Sequence, residues 1–367
     1  MIISIFMVLN HRVMQAKKYK KTGNKGLFDE QETYQRLSSI GNPLEMISKV
    51  IEFEMFRDML EAKLLNKNKK NNAGAKPFDV VMMFKIMILQ RYYGLGDTQI
   101  EYQILDRLSF KKFLGLESGD KVPDEKTVWA FREKLTNNGL VEDIFSQFTK
   151  RLESKGFIMN EGKMVDASFT VAPRQRNTRE ENQKIKEGKG GELWNDKPNK
   201  KKHKDIDARW TKKNGETFYG YKNHAKVDTK SKFIDNYEVT DASVHDSQPL
   251  DDLLTEDDSG QDFFADSAYT GKEQEKVINK YEMINKVNEK GYRNHPLTAE
   301  QKANNREKSK TRARVEHVFG FMEQSMKGLI VRSVGITRAS GIIGLINLTY
   351  NLFRYEQVMR LNILTTK

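Results

Sequence analysis

The chain has 367 residues, enough for two domains and a sizeable core. It has no cysteine, which excludes disulfides and thiolate-held metals and fits a reducing, cytoplasmic setting. Lys and Arg (63) outnumber Asp and Glu (51), for a net charge of +12 and a pI near 9.4; this points to a polyanionic partner, most simply nucleic acid, while no apolar run is long enough to span a bilayer.

Residues 1–27 read as a flexible basic tail. MIISIFMVLN lacks the preceding basic residue and the small-residue cleavage site of a signal peptide, and Met1, Met7 and Met14 all stand as candidate starts. Arg12, Lys17, Lys18, Lys20, Lys21 and Lys25 follow with no acid among them. Such an arm is usually solvated, and it could touch phosphates. Residues 28–155 read as an all-helical N-terminal domain. Asn66–Ala75 is a polar loop, Pro77 opens an apolar helix closed by Gly94, Asp97 caps TQIEYQILDRL, and Asp124 caps EKTVWAFREKL. Short helices joined by tight turns are the format of helix-turn-helix DNA readers, and equally of a small bundle that only packs or dimerises.

From residue 156 the pattern changes to strands, expected at Gly162–Ser168, Thr217–Val227, Phe233–Thr240, Asp262–Ala265 and Met283–Val287. Helices are expected near Gln248–Leu254 and Lys272–Tyr281, with an apolar final helix at Ala339–Arg360. This is an α/β (α+β) domain spanning 156–367. Its first two strands are separated by a polar insertion, residues 174–213, with 14 Lys/Arg against 7 acids. Trp194 and Trp210 are interleaved there. Cations neutralise phosphates and aromatic rings stack on unpaired bases; a solvated loop reads the same way.

Three carboxylates stand out from many surface ones. Asp166 in GKMVDASFT and Asp266 in DFFADSAYTG each end a short apolar strand, and Glu316 lies in the helical run TRARVEHVFGFMEQ. A charge at the end of a buried strand must be paired or bound to something. Two strand-end aspartates and a helix glutamate can meet at one end of a sheet and hold a pair of hard divalent cations. Arg312, four residues before Glu316, shares its helix face, as in a phosphate site or an ordinary surface ion pair. The denser cluster Asp251, Asp252, Glu256, Asp257 and Asp258 reads as a solvated loop. Scattered histidines make zinc a poor fit, Ser168 has no nucleophile elbow, and no phosphate-cradling glycine loop occurs.

Taken together, PFDVVMMFKIMILQRYYGLGDTQIEYQILDRLSFKKFLGL, VPDEKTVWAFREKL, MVDASFTVAP, TFYGYKNHAKVD, VTDASVHDSQPLDDLL, ADSAYTG and TRARVEHVFGFM resemble a bacterial insertion-sequence transposase of the DDE type, in particular the insertion sequence five family of the four/five group. The resemblance runs in consistent order over roughly 30–360. It implies a ribonuclease-H-like catalytic core behind an N-terminal helical DNA-binding domain. It further implies that Asp166, Asp266 and Glu316 are a catalytic triad for two Mg2+ ions, with Mn2+ as a substitute. Asp166 would bridge both ions, Asp266 bind one and Glu316 the other.

The family signature around the glutamate is Tyr, two residues, Arg, three residues, Glu, six residues, Lys. Arg312 and Glu316 match it; Ser309 stands at the Tyr and Glu323 at the Lys. Lys327, one helical turn further, is the expected substitute for the lysine, and Glu323 a minor rival as third ligand. Tyr269 is expected either to stack on a base or to pack in the core. Lys126, Arg132, Trp210, Lys212 and Lys213 are the other expected DNA contacts. The implied function is binding of terminal inverted repeats, cleavage, and strand transfer into target DNA by cut-and-paste. The implied state is a homodimer or larger synaptic assembly on double-stranded DNA, in the bacterial cytoplasm at the nucleoid. A nuclease that does not join strands and a domesticated DNA-binding regulator are the alternatives.

Overall fold

The computed structural model describes Gly26 and residues 28–65, 76–158, 160–213 and 215–363. The expected basic tail and the loop Asn66–Ala75 lie outside these residues, Gly26 and Phe28 onward excepted. Two units separate, Met1–Asn42 and Pro43–Lys367. In the first, helix α1 (Asp29–Ile40) buries no residue and carries Asp29, Glu30 and Glu32 in its first turn, where they favour the helix dipole.

The second unit begins with helices α2 (Pro43–Val50), α3 (Arg57–Leu64), α4 (Val80–Tyr93), α5 (Asp97–Asp106), α6 (Leu108–Leu114), α7 (Glu125–Asn137) and α8 (Leu140–Ser154). Helix α4 is apolar on every side and sits inside the layer, from Val80 through Gln90 except for Lys85. Its start is set by Asp79, whose side chain accepts from the Val81 and Met82 amides at 3.0 and 2.9 Å, so the helix opens at Val80, three residues after the expected Pro77. Gly94 ends it in the left-handed conformation. The N-cap of α5 is Gly96, not Asp97.

The sheet follows: β1 (Gly162–Val171), β2 (Arg209–Lys213), β3 (Glu216–Asp228), β4 (Ile234–Asp241), β5 (Asp262–Phe264) and β6 (Ile284–Asn285). Strand β3 runs antiparallel to β1 on one edge; its other edge is shared by β2 and β4. Strands β5 and β6 extend the sheet parallel to β1. With β2 set aside, the spatial order is β4-β3-β1-β5-β6, an antiparallel meander followed by two parallel strands, which is the ribonuclease-H-like arrangement. Gly220 lets β3 pass close to β1, because a Cβ there would collide with the Thr170 carbonyl. The insertion supplies α9 (Arg179–Lys186), α10 (Pro198–Lys202) and β2. Helices α11 (Leu250–Leu253) and α12 (Lys272–Lys280) cover one face, and α13 (Ala299–Gly320) and α14 (Ile336–Leu361) the other.

One apolar core runs from α2 through α4 and α8 to α14 and on to Met164, Ala225 and Val227 of the sheet. The expected boundary at 155 is therefore a change of secondary structure and not a break in the core. Helix α14 ties the layers together: Tyr92 stacks on Phe353 with centroids 3.6 Å apart, Asn347 pairs with Asn223, and Asn351 bonds the Ile234 backbone. No helix among the described residues is long and apolar enough to cross a membrane.

Candidate active site

The β1–β5 register pairs Gly162 with Asp262, Lys163 with Phe263 and Met164 with Phe264. Carried two residues past the last pair, the same register sets Asp166 level with Asp266. Side chains alternate along strands, so both share the face of Met164 and Phe264, the face covered by α13. Asp266 leaves its strand as the cap of the short turn Ser267–Tyr269, and its Oδ1 accepts from the Ala268 amide at 2.8 Å. The Asp166 Oδ1 accepts from the Ala167 amide, also at 2.8 Å. One oxygen of each carboxylate is thus oriented by backbone. Burial raises the Asp166 carboxyl to about 6, and the Asp266 charge adds to the rise; the Ala167 amide, Arg312 and Lys213 oppose it.

Helix α13 is docked through the loop after β6. The Lys308 ammonium donates to the Val287 carbonyl at 3.1 Å, Asn305 bonds Glu289, and the Asn288 amide side chain donates to the Ser309 hydroxyl. The Asn288 backbone amide in turn donates to Ala265, the residue before Asp266. Ser309 thereby anchors the helix against the end of β5. One turn on, the Arg312 guanidinium donates to Glu316 Oε1 at 2.9 Å and lies 3.6 Å from Asp166 Oδ2. Glu316 is exposed, its side chain 59% accessible.

The structure therefore brings Asp166 and Asp266 together directly and Glu316 to them through Arg312. Among the described residues no three acidic, histidine or cysteine side chains already sit close enough to hold one metal ion. The pair nonetheless fits a hard divalent cation. Its donors are carboxylate oxygens, and the burial that chiefly raises the Asp166 carboxyl, with the Asp266 charge beside it, is what such a cation offsets.

Several expected DNA contacts stand elsewhere. Tyr269 is 1% exposed and packs with Val165, Phe263 and Ile278, so it stacks on no base. Its hydroxyl has no hydrogen-bond partner among the described residues, and burial with the charges of Asp166, Asp246 and Asp266 pushes it well above the ordinary tyrosine range. Arg132 is buried and grips Asp97 with both terminal nitrogens, which is why Asp97 caps nothing. Helix α13 ends at Gly320 and gives way to a wider turn, Phe321–Ser325; Lys327 follows with φ of 51°, so it is not on the helix face, and exposed Glu323 lies in the turn. Trp194 is buried, its indole donating to Glu181 at 2.6 Å. Trp210 is 42% exposed on β2, with the Arg174 guanidinium 5.7 Å from its ring, and Lys126 and Lys212 are exposed.

Lys213 is paired with Asp246 at 3.2 Å, and the buried Lys222 holds the same carboxylate at 2.7 Å. Both ammonium groups lie over Phe169, which stacks on Phe218. Sequence reasoning missed Asp246 and Lys222, although both lie in segments it had marked. His224 is fully buried, bonded to the Thr240 hydroxyl at 2.8 Å and held neutral by burial, at about 4.

A family model described as a Transposase DDE domain matches residues 161–352, and a second, described as Transposase domain (DUF772), matches residues 31–134. No solved structure matches the chain. The first match covers just over half of the chain and contains both strand-end aspartates, Arg312 and Glu316, so the chain belongs to the DDE transposases, enzymes that cleave and transfer DNA strands and in general depend on divalent metal ions.

Proposed function

We propose that this transposase recognises the terminal inverted repeats of its own element, cuts them at Asp166, Asp266 and Glu316, and joins the freed ends to target DNA by cut-and-paste. The observation that carries the reading is the common level of Asp166 and Asp266 at the sheet end beneath Arg312. Two Mg2+ ions, or Mn2+ in their place, supply activation of the attacking oxygen and stabilisation of the leaving oxygen when bound. Asp166 and Asp266 hold their orienting backbone bonds throughout. Arg312 moves from the two carboxylates to the phosphate at the scissile bond, where a guanidinium can bond two oxygens, and this frees Glu316 to complete the triad. Tyr269, packed behind Asp266, keeps its turn rigid. Exposed Lys126, Lys212 and Trp210 contribute backbone contacts. Synapsis of two ends calls for a homodimer or larger assembly.

The test is Asp166→Asn with end-bearing DNA. Cleavage in Mg2+ falls roughly a thousandfold while DNA binding persists. Undiminished cutting refutes the mechanism.

A further inference from the structure

A groove of about 630 Å³ opens where α4, α5 and α7 meet the segment before α14, with Lys202 and His203 of the insertion at its rim. Its charges are unbalanced. Arg91, Lys202, Lys327 and Arg332 form no ion pair among the described residues, and the one acid in the wall, Asp97, is taken by Arg132. The Arg91 Nε is shielded from solvent and has no hydrogen-bond partner among the described residues. Burial, reinforced by Arg132 and Arg332 and only partly opposed by Asp97, pulls that guanidinium down to about 10. Arg91 is half-buried, and a partly desolvated cation whose nearby acid is held by another guanidinium is stabilised by a further anion. Trp129 stands in the same wall with 48% of its surface exposed.

A second cavity, about 670 Å³, shares Lys327, Ile330 and Arg332 with the first and ends at Ser168 and Phe169 of β1. At about 3.3 Å per strand residue, that end is only ~7–10 Å along β1 from Asp166. The two cavities adjoin at Lys327, Ile330 and Arg332, with Glu323 as the acid on the second wall, and lead from the basic groove toward the carboxylates.

We infer that this path carries the backbone of the DNA strand leading away from the cut, with phosphates on Lys327, Arg332, Lys202 and Arg91 and a base against Trp129. The inference rests on the proposed cleavage site and adds to it a course for the substrate. A free phosphate would satisfy Arg91 alone; the spaced cations and the exposed indole match a polymer.

The experiment measures binding of a short fluorescein-labelled single strand to the full chain across a salt series. Lys202→Ala, Lys327→Ala and Arg332→Ala combined lower the slope of log affinity against log salt by about 2, at ~0.7 per lost contact. Trp129→Ala weakens binding roughly tenfold and leaves the slope unchanged. Thermal melts by circular dichroism verify folding; if the triple variant fails that control, Lys202→Ala alone, on the exposed insertion, lowers the slope by about 0.7. An unchanged slope in the folded variant overturns the path. Asp166→Asn leaves the slope intact, so the failure of the path and the failure of the proposed chemistry give different results.

Discussion

Lys163 and Asp166 stand three residues apart on β1 and face opposite sides of the sheet. Lys163 belongs to a buried quartet: it meets Asp235 at 2.5 Å, Lys226 meets Asp258 at 2.6 Å, and the cross-pairs lie at 3.5 and 3.9 Å. Two cations balance two anions, and every charge has its partner within the protein. Asp166 faces Asp266 with two cations in range, and each is shared with another acid: Arg312 with Glu316, and Lys213 with Asp246. The same strand thus carries one charge cluster that is complete and one that is not. The complete cluster is structural, and the incomplete one is shaped for positive charge from outside.

This contrast can be broken from either side. Lys163→Met leaves two buried carboxylates on the single cation Lys226 and should cost about 3–5 kcal/mol in chemical denaturation; a loss below ~1 kcal/mol would dissolve the distinction. Asp166→Asn should act in the opposite direction and stabilise the metal-free protein by about 3 kcal/mol at neutral pH. The sign follows from the folded carboxyl titrating at about 6 against an ordinary 3.8, so ionisation burdens the folded state. The gain should be complete above pH 6 and vanish as pH falls below about 4. A variant no more stable than its parent at pH 7 would show that the Asp166 charge is already compensated. The smallest effect is expected at exposed Glu316, where Glu316→Gln should shift stability by no more than about 0.5 kcal/mol while cleavage falls with that of Asp166→Asn.

Much of the catalytic layer was legible because short apolar runs deliver the aspartates and the Arg312–Glu316 spacing is helical. The constant offset between β1 and β5 is visible only once the strands pair. What was hidden depended on tertiary partners. Strand β2 reads RWTKK, without an apolar face, and exists through its pairing with β3. Asp97 has a good capping residue's chemistry, but Arg132 competes for it. Lys327 was counted along a helix that widens at Phe321. Tyr269 and Trp194 show that an aromatic ring in a polar stretch can still be core. The basic groove could not be read at all, since Arg91, Lys202 and Arg332 are far apart in the chain.

Helix α14 has a consequence for the order of events during synthesis. It is the last element of the described chain, yet it fills the space between α4, α8 and β4 and holds both Asn223 and Ile234. A chain ending before Ile336 contains Asp166, Asp266 and Glu316 but exposes the apolar surfaces that α14 covers. Packing of the sheet that carries the two aspartates therefore waits on the docking of this helix.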